Sequence, residues 1–494
     1  MKASFTGSNL RQQLTRPEFA NFARAPARTT GKLLAYHDAE RPATVRRCFA
    51  QNDRNRFVRQ THRPPAAGSP GGAALLHSGQ MRVLLSTYDS RGGVEPLVGL
   101  AVQLQALGAE VRICAPPDEE FAERVAGLGV PLVPFGESVR AMVTGATPPS
   151  EADLRRHIDE LIAAQFDTVA AAAQGCDALV AAGLLPAAAG ARSAAEKLGI
   201  QYVYASYHPA DLPSPHHPPP SFWRAPLPPG MVDNRVLWDL DARNANAHFG
   251  VTLNRHRAAI GLSPVDNVRG HALTDRPWLA ADPALGPWPE PADLDVVQTG
   301  AWLLRDTRPL PTELMKFLDA GAPPVYVGFG SMPVPTLESI ARASIEAIRA
   351  QGRRALLARG WAGLAPIDDG DDCFAVGEVN QQALFARVAA VVHHGGAGTM
   401  TTAALAGAPQ VVVPQGADQL YWARRAAELG IGTALVGAAP TTGTLSAALA
   451  TALTPETRAR AGALAGQIRT DGAAVAATRL LETIAAEGSA GLAL

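Results

Sequence analysis

A glycine-rich turn, His394-Gly-Gly-Ala-Gly-Thr399, gives the clearest chemical signal in the chain. It follows an apolar β-branched run and precedes a segment that opens with threonine, so the order is typical of strand, tight loop and helix start. Glycine lets a backbone approach a ligand closely, and unpaired N–H groups at a helix start favour an anion such as phosphate. A histidine directly before the turn can donate a hydrogen bond to the same phosphate. We therefore predict a phosphate site formed by His394, Gly395, Gly396, Ala397, Gly398 and Thr399.

Two polar residues, Asp418 and Gln419, follow the next apolar run, residues 410–414, which is predicted to be a strand. Ligands of open parallel sheets lie at the carboxyl ends of the strands, so these side chains can reach a group attached beyond the phosphate. A diphosphate that carries a polyhydroxylated sugar fits this arrangement. Two simpler interpretations stay open: the glycines only form a turn, and Asp418 only caps the helix that follows.

These motifs resemble those of family 1 nucleotide-sugar glycosyltransferases, in particular the actinobacterial enzymes that glycosylate glycopeptide antibiotics and other natural products. Residues 372–436 are similar to the donor-binding half of the family, and residues 81–101 are similar to its opening strand, loop and helix. The resemblance runs from Met81 to near Leu480. It implies an α/β fold of the GT-B type, in which two Rossmann-like domains face each other across a cleft that contains the active site.

The resemblance also implies a reaction. This is inverting, metal-independent transfer of a hexose from a UDP- or dTDP-sugar to a hydroxyl of a hydrophobic acceptor, such as a glycopeptide or polyketide aglycone. The nucleotide sugar is then a co-substrate, and no other cofactor is implied. Ser331 is expected to face the diphosphate. Val379 and Gln381 belong to the segment expected to hold the nucleobase, whereas Asp418 and Gln419 are expected to bind the sugar hydroxyls.

The sequence departs from the family at the proton acceptor. The family loop reads Gly-Ser-Arg-Gly-Asp, and its aspartate is the expected base, but this chain reads Asp89-Ser-Arg-Gly-Gly93. Gly93 cannot accept a proton. The candidate substitutes are Asp89 on the same loop and His208, a histidine after a strand end that is expected to be neutral and to face the same cleft. Either residue could instead be a solvated loop group. Loss of a general base costs about 10²–10⁴ in rate.

The acceptor is expected to meet the N-terminal loop and a proline-rich segment, residues 209–230, predicted to be a long surface loop. Phe222, Trp223 and Trp238 either line an apolar acceptor pocket or cover the core of the domain. The catalytic candidates are Asp89, His208 and Asp418, and the residues expected near the acceptor are Ser90, Arg91, Gly92, Gly93, His208 and Trp223.

Strand and helix patterns alternate from Met81 onwards, which favours parallel sheets covered on both faces. In the first half, residues 82–87 are a predicted strand and residues 95–107 a predicted helix, and longer helices are predicted over 152–173 and 232–260. The predicted domains are an acceptor-binding domain over 81–304, a linker over 305–311 and a donor-binding domain over 312–494. The last helix is expected to pack back on the first domain.

The first eighty residues have a different composition. They contain 13 Lys+Arg and 4 Asp+Glu, whereas the whole chain of 494 residues has a formal net charge of −1. They lack long periodic apolar stretches, which is typical of a disordered basic extension. Such an extension could be a targeting arm, a nucleic-acid-binding arm or a segment without its own function. Because Met81 directly precedes the first strand, residues 1–80 could also be an upstream reading of the gene start.

The overall composition excludes several classes. Hydrophobic residues make up 47% of the chain, enough for sizeable cores, but no apolar run is long enough for a membrane span. The four cysteines are scattered, which predicts neither a zinc site nor a disulfide framework and favours the cytoplasm. No Asp-x-Asp motif stands in a suitable place for a metal. The near-neutral charge gives no general attraction to nucleic acid. The partners that the resemblance implies are a small-molecule donor and acceptor, and the oligomeric state stays open.

The sequence leaves three alternatives to an active glycosyltransferase. The first is a catalytically weak homologue that binds nucleotide sugar and acts as a helper protein, which Gly93 favours. The second is a nicotinamide-dependent oxidoreductase, which would need a Gly-x-Gly-x-x-Gly turn after the first strand, and residues 86–93 do not supply one. The third is a nucleotide-sugar epimerase, whose catalytic acids would replace the aromatic acceptor loop.

Overall fold

The computed structural model describes residues 80–491, except for 146–149, 221–232, 332–336, 362, 417 and 438–439. The predicted basic extension lies outside the described residues up to position 79, and so do Phe222 and Trp223. The rest of the chain contains two parallel β-sheets with helices on their faces.

The first sheet has seven strands in the order β3-β2-β1-β4-β5-β6-β7, all parallel. Its strands are β1 (Arg82–Tyr88), β2 (Glu110–Ala115), β3 (Leu132–Pro134), β4 (Ala178–Gly183), β5 (Gln201–Ser206), β6 (Trp278–Leu279) and β7 (Val297–Gln298). The helices of this half are α1 (Arg91–Ala106), α2 (Glu119–Ala126), α3 (Val139–Thr144), α4 (Glu151–Ala164), α5 (Ala170–Ala172), α6 (Leu185–Leu198), α7 (Asn234–Ala245), α8 (Val251–Ala259) and α9 (Val268–Leu273). Strand-helix alternation is therefore as the sequence predicts.

Three of the predicted helices have different bounds in the structure. α1 begins at Arg91 rather than at residue 95, so two glycines expected in a loop lie in its first turn. Pro96 explains the error, because proline is common near helix starts and favours a later beginning. The two long predicted helices each contain a π-helical turn, Gln165–Val169 and Asn246–Gly250. A π turn inserts one extra residue, and the apolar periodicity does not reveal it.

The second sheet has six parallel strands in the order β10-β9-β8-β11-β12-β13. Its strands are β8 (Val325–Gly328), β9 (Ala355–Ala358), β10 (Cys373–Val376), β11 (Ala390–His393), β12 (Gln410–Val412) and β13 (Gly432–Ala434). The helices of this half are α10 (Thr312–Asp319), α11 (Leu337–Ala350), α12 (Gln381–Phe385), α13 (Ala397–Leu405), α14 (Gln419–Glu428), α15 (Thr442–Ala452), α16 (Pro455–Ala465) and α17 (Gly472–Gly491).

Each sheet reverses its strand order once, between β1 and β4 in the first half and between β8 and β11 in the second. At such a reversal the neighbouring connections run to opposite faces of the sheet and leave a crevice at the carboxyl ends of the strands, where ligands of open α/β sheets bind. Asp89 follows β1, and His394 follows β11. The fold thus places the segments that begin with Asp89 and with His394 at the two points where the strand order reverses.

Apolar packing joins the two halves. One buried cluster combines Leu285 and Trp288 of the first half with Met400 and Trp422 of the second. The final helix, α17, packs on α1, and its buried alanines and Leu480 belong to the core of the first half. Because its small side chains allow α17 to lie close to α1, the C-terminal helix completes the core of the N-terminal half.

A buried carboxylate, Asp282, also fastens the halves together. Asp282 is 1% exposed, and its Oδ1 and Oδ2 each accept a 2.8 Å hydrogen bond, from the backbone N–H groups of Ala284 and Arg469 respectively. We expect Asp282→Asn to lower Tm by about 2–8 °C, because an amide NH2 would face a backbone N–H where a charged acceptor is worth ~1.5–3 kcal/mol. Asp295→Asn, at an exposed ion pair with Arg276, is the matched control. Equal Tm values in differential scanning calorimetry would contradict the fastening role.

Candidate functional site

The glycine turn adopts a conformation that only glycine tolerates. Gly395 has φ +98°, and a Cβ built on it would lie 2.8 Å from Val412 Cγ1 and 3.2 Å from the carbonyl oxygen of Gln419. Helix α13 then begins at Ala397, with Gly396 at the N-cap position and no side chain capping it. The N–H groups of Ala397, Gly398 and Thr399 therefore stand at a helix start that has no built-in acceptor.

His394 lies against this helix start. Its ring sits between the end of β8 and the turn, because Cβ atoms built on Gly330 and Gly396 would lie 3.1 Å from its Cε1 and 2.6 Å from its Nε2. Burial lowers the pKa of His394 to about 4, so the imidazole is neutral at neutral pH. Its Nδ1 is buried and has no hydrogen-bond partner among the described residues. A neutral imidazole with an unsatisfied nitrogen at a helix start suits a phosphate oxygen.

The preceding histidine has a structural role instead. His393 is fully buried, its Nε2 lies 2.8 Å from Gln410 Oε1, and its Nδ1 accepts a 3.1 Å hydrogen bond from Gly395 N–H. Burial lowers the pKa of His393 to about 3. The two adjacent histidines therefore differ in their surroundings: His393 is hydrogen-bonded within the turn, whereas His394 keeps a buried nitrogen without a partner among the described residues.

Asp418 and Gln419 come together with this turn at the start of α14. Asp418 stands at the N-cap position, but it has helical backbone angles and makes no capping hydrogen bond, so the simple capping interpretation is wrong. Burial raises the pKa of its carboxyl, with His208 acting in the opposite direction. Gln419 is buried, and its Oε1 accepts a 2.7 Å hydrogen bond from Gln415 N–H, which holds the loop after β12.

The other predicted donor residues surround the same edge. Ser331 follows Gly330, which has φ +59°, at the end of β8. Val379 is half-buried just before α12, and no hydrogen bond engages its backbone N–H or C=O among the described residues. Gln381 points inward, because its Nε2 donates a 3.1 Å hydrogen bond to the Tyr326 hydroxyl. Of the two residues predicted to hold the nucleobase, Val379 thus offers its backbone groups. The side-chain amide of Gln381 is instead hydrogen-bonded to Tyr326.

Arg91 connects the two halves, and its predicted place near the acceptor stays a prediction. Its guanidinium lies 2.9 Å from Glu378 in the donor half and 3.4 Å from Glu95. Glu378 also pairs with Arg308 of the linker at 2.9 Å. The Arg91–Glu378 ion pair could not be predicted from the sequence, because the two residues are 287 positions apart and no local pattern signals such a contact.

A second polar contact crosses between the halves at Trp361. Its indole N–H donates a 2.9 Å hydrogen bond to Glu120 Oε1, and its backbone N–H donates to the carbonyl oxygen of Gly330. The turn that carries Ser331 is therefore tied to the first half through Trp361. No local pattern singles out Trp361, since a single tryptophan between glycines is also typical of a surface turn.

On the first half, Asp89 and the predicted loop residues lie at the carboxyl end of β1. Ser90 is the N-cap residue of α1, Gly92 is exposed, and Gly93 is buried beneath Asp89. The Tyr207 hydroxyl donates a 3.0 Å hydrogen bond to the carbonyl oxygen of Gly93, which fixes this turn to the end of β5. Burial, together with the charges of nearby Asp418 and Asp211, raises the pKa of Asp89 to about 6 against the lowering effect of the Ser90 hydrogen bonds.

His208 is buried next to Asp211, with 3.1 Å between His208 Nε2 and Asp211 Oδ2. Burial alone would lower the pKa of His208, but the charges of Asp211, Asp418 and Asp89 together raise it to about 9. His208 is therefore an imidazolium at neutral pH, not the neutral histidine that the sequence analysis expects. Asp418 of the second half raises the pKa of both Asp89 and His208, so it lies close enough to act electrostatically on these two residues of the first half.

The predicted aromatic acceptor pocket is only partly described. Trp223 and Phe222 lie outside the described residues. Trp238 is 5% exposed, donates a 2.9 Å hydrogen bond to the carbonyl oxygen of His217, and lies under the Arg269 guanidinium. Trp238 thus covers the domain core, which is the simpler of the two interpretations offered by the sequence.

The described residues also bear on metal binding and on membrane insertion. Within the part of the chain that the structure describes, no group of three or more His, Cys, Asp or Glu side chains is arranged to hold a metal ion. No helix of the described residues has the length and apolar character needed to cross a membrane.

Comparison with known proteins assigns each half to a family. Residues 83–211 match the glycosyltransferase family 28 N-terminal domain, and residues 368–479 match the erythromycin biosynthesis protein CIII-like C-terminal domain. The chain is 58% identical over 407 residues to vancomycin aglycone glucosyltransferase of Amycolatopsis orientalis, covering 82% of this chain and 98% of that protein. It is 50% identical over 387 residues to dTDP-epi-vancosaminyltransferase of the same organism, covering 77% of this chain and 92% of that protein.

Solved structures share the architecture. The glycosyltransferase of kitacinnamycin superposes with a TM-score of 0.61 at 21% identity, over 82% of this chain and 99% of that chain. The glycosyltransferase VinC in complex with dTDP superposes with a TM-score of 0.58 at 20% identity, over 82% of this chain and all of that chain. These likenesses confirm the predicted GT-B fold, and the identity to the Amycolatopsis proteins confirms the predicted family. The chain is an enzyme of the glycosyltransferase family, and it belongs with the GT-B enzymes that include the glycopeptide glycosyltransferases.

Proposed function

We propose that this glycosyltransferase moves a hexose from a UDP- or dTDP-sugar to a hydroxyl of a hydrophobic natural-product aglycone, most specifically a glycopeptide aglycone. The observation that carries the proposal is the uncapped start of α13 beside the neutral His394, whose Nδ1 is buried without a partner. The aglycone acceptor is supported by the relatives, one of which is named for vancomycin aglycone and another for a dTDP-linked amino sugar.

The donor is proposed to bind along the edge of the second sheet. The N–H groups of Ala397, Gly398 and Thr399 and the imidazole of His394 hold the diphosphate, with Gly395 and Gly396 allowing close approach. Ser331 contacts the same diphosphate from the neighbouring strand end. Asp418 and Gln419 hold the hexose. The backbone of Val379 holds the nucleobase, and Gln381 supports this segment through Tyr326.

The chemistry is proposed to be a single in-line displacement that inverts the anomeric carbon. A base takes the proton of the acceptor hydroxyl, its oxygen attacks the anomeric carbon, and the diphosphate leaves with the bonding electron pair. Negative charge that develops on the leaving diphosphate is stabilised by the α13 N–H groups and by the neutral imidazole of His394. These fixed donors need no metal ion for that task, in keeping with the metal-independent reaction that the sequence predicts.

The proposal is tested with the full chain, vancomycin aglycone as the acceptor and UDP-glucose and dTDP-glucose as donors. We expect mass spectrometry to show an aglycone product heavier by one hexose, and free UDP or dTDP in equal amount. If calorimetry shows donor binding but no donor-acceptor pair yields product, the helper-protein alternative is favoured and the transferase proposal fails. If no nucleotide binds, the assignment of the donor site fails as well.

A further inference from the structure

Asp89 and Gly93 are neighbours in space because the chain turns from β1 into the first turn of α1 between them. α1 begins at Arg91, with Ser90 as its N-cap, so positions 89 and 93 are four residues apart at a helix start. A Cβ atom built on Gly93 would lie 2.5 Å from Asp89 Oδ2 and 2.7 Å from Asp89 Cγ. Such distances are far below van der Waals contact. The Asp89 carboxyl therefore occupies the space into which any side chain at position 93 would extend.

The Asp89 carboxyl is held in place by its surroundings. Asp89 Oδ1 accepts a 2.6 Å hydrogen bond from Ser90 N–H. Asp89 Oδ2 lies where a side chain at position 93 would extend, and Asp89 remains partly exposed at the carboxyl end of β1. The backbone beneath it is fixed by the hydrogen bond from the Tyr207 hydroxyl to the carbonyl oxygen of Gly93. The Asp89 carboxyl is thus a positioned acceptor at the edge of the sheet where ligands of open α/β sheets bind.

We propose that Asp89 is the general base of the transfer, and that glycine at position 93 is required because it makes room for the Asp89 carboxylate. This inference rests on the proposed function. Asp89 Oδ2 takes the proton of the acceptor hydroxyl while that oxygen forms the bond to the anomeric carbon. The bond from the anomeric carbon to the diphosphate oxygen breaks, and its electron pair leaves with the nucleoside diphosphate. Asp89 then returns its proton to water.

The electrostatic surroundings agree with this role. Burial raises the pKa of Asp89 to about 6, so the group is mostly ionised at pH 7.5 and its pKa lies near the working pH, as an effective general base requires. His208 is already protonated at that pH and cannot accept the proton. The titratable groups that face Asp89 from the ends of β5 and β12 are Tyr204, Tyr207, His208, Asp211 and Asp418.

The first test is Asp89→Asn, which keeps the shape and removes the base. We expect kcat/KM with UDP-glucose and vancomycin aglycone to fall by about 10²–10⁴-fold. The dissociation constant of UDP, measured by calorimetry, should stay within about twofold, because Asp89 does not contact the nucleotide. Wild-type kcat/KM should decline as the pH falls through about 6, since protonation removes the base. This decline should be absent from the residual activity of Asp89→Asn.

The second test exchanges the two residues. Asp89→Gly alone should lose turnover, and Gly93→Asp alone should also be impaired, because the two side chains would compete for the same space. The double variant Asp89→Gly/Gly93→Asp should recover at least about tenfold over Asp89→Gly, since it restores one carboxylate to the same space. If the losses of the two single variants simply add in the double variant, the two positions do not share one carboxylate site, and the proposal is overturned. Circular dichroism and Tm of all three variants separate misfolding from loss of the base.

The third test addresses His208. His208→Gln should keep most of the activity and move the acidic decline of kcat/KM to higher pH, because it removes a positive charge near Asp89. A loss of 10²-fold or more in His208→Gln, with Asp89→Asn nearly unchanged, would make His208 the base and overturn the proposal. Absence of product from the wild type would refute the proposed function itself, whereas wild-type turnover that is insensitive to Asp89→Asn refutes only the base.

Discussion

Replacing His394 by alanine is expected to lower kcat/KM by about 10²–10³-fold while the chain remains folded, which is the usual effect of removing one donor to a developing oxyanion. His394 lies between Gly330 and Gly396 at the start of α13, where its Nδ1 is buried without a partner among the described residues. Because burial lowers its pKa to about 4, His394 donates as a neutral imidazole. The loss should therefore be constant from pH 6 to pH 9, and steady-state rates of UDP release across that range measure it.

His394→Gln is the informative companion, because its amide can still donate a hydrogen bond and should recover part of the rate. His256→Ala is a matched control, since its ring stacks on Phe166 on the first half. A His394→Ala enzyme within about threefold of the wild type would contradict the placement of the diphosphate at this turn. So would a loss that appears only below pH 5, because it would require a charged histidine.

Replacing Asp418 by alanine is expected to weaken binding of UDP-glucose by about 10–100-fold and to leave binding of UDP unchanged. A hydrogen bond from a sugar hydroxyl to a carboxylate is worth ~1.5–3 kcal/mol, which corresponds to that range. Asp418 stands at the start of α14 without capping it, so its removal should not destabilise the helix. Calorimetric titration with the nucleotide and with the nucleotide sugar measures the difference directly.

The comparison between the two ligands is the control within this experiment. Equal weakening of UDP and UDP-glucose would show that Asp418 acts through the loop or the diphosphate and not through the hexose. Because Asp418 also raises the pKa of Asp89 and His208, its removal should in addition extend catalysis slightly to lower pH. The pH profile shifts because the Asp418 carboxylate is a negative charge that favours protonation of Asp89 and His208.

Much of the fold and of the donor edge could be predicted because the relevant signals are local. The apolar run before His394 and the glycines after it specify a strand, a turn and a helix within ten residues. The same is true of β12 and the residues that follow it, which bring Asp418 to this edge. Parallel sheets then align these strand ends without further information, since all carboxyl ends share one edge.

The surroundings of Asp89 and His208 were harder to predict, because they depend on three-dimensional geometry that a linear sequence pattern does not contain. A carboxylate displaced by four residues looks remote in an extended loop. The early start of α1 turns the chain so that Asp89, just before the helix, lies against Gly93 in its first turn. The ionisation of His208 depends on carboxylates from β1, its own strand end and the opposite half. The Arg91–Glu378 contact likewise exists only once both halves are folded.

The anomeric configuration of the product tests the central claim, one-step displacement in the cleft between the two halves, more directly than any rate. NMR of the aglycone glycosylated from UDP-α-glucose reports it through the coupling of the anomeric proton. A single displacement with Asp89 as the base predicts a β-linked product. An α-linked product would contradict this mechanism, because retention requires a second step or attack from the face of the leaving diphosphate.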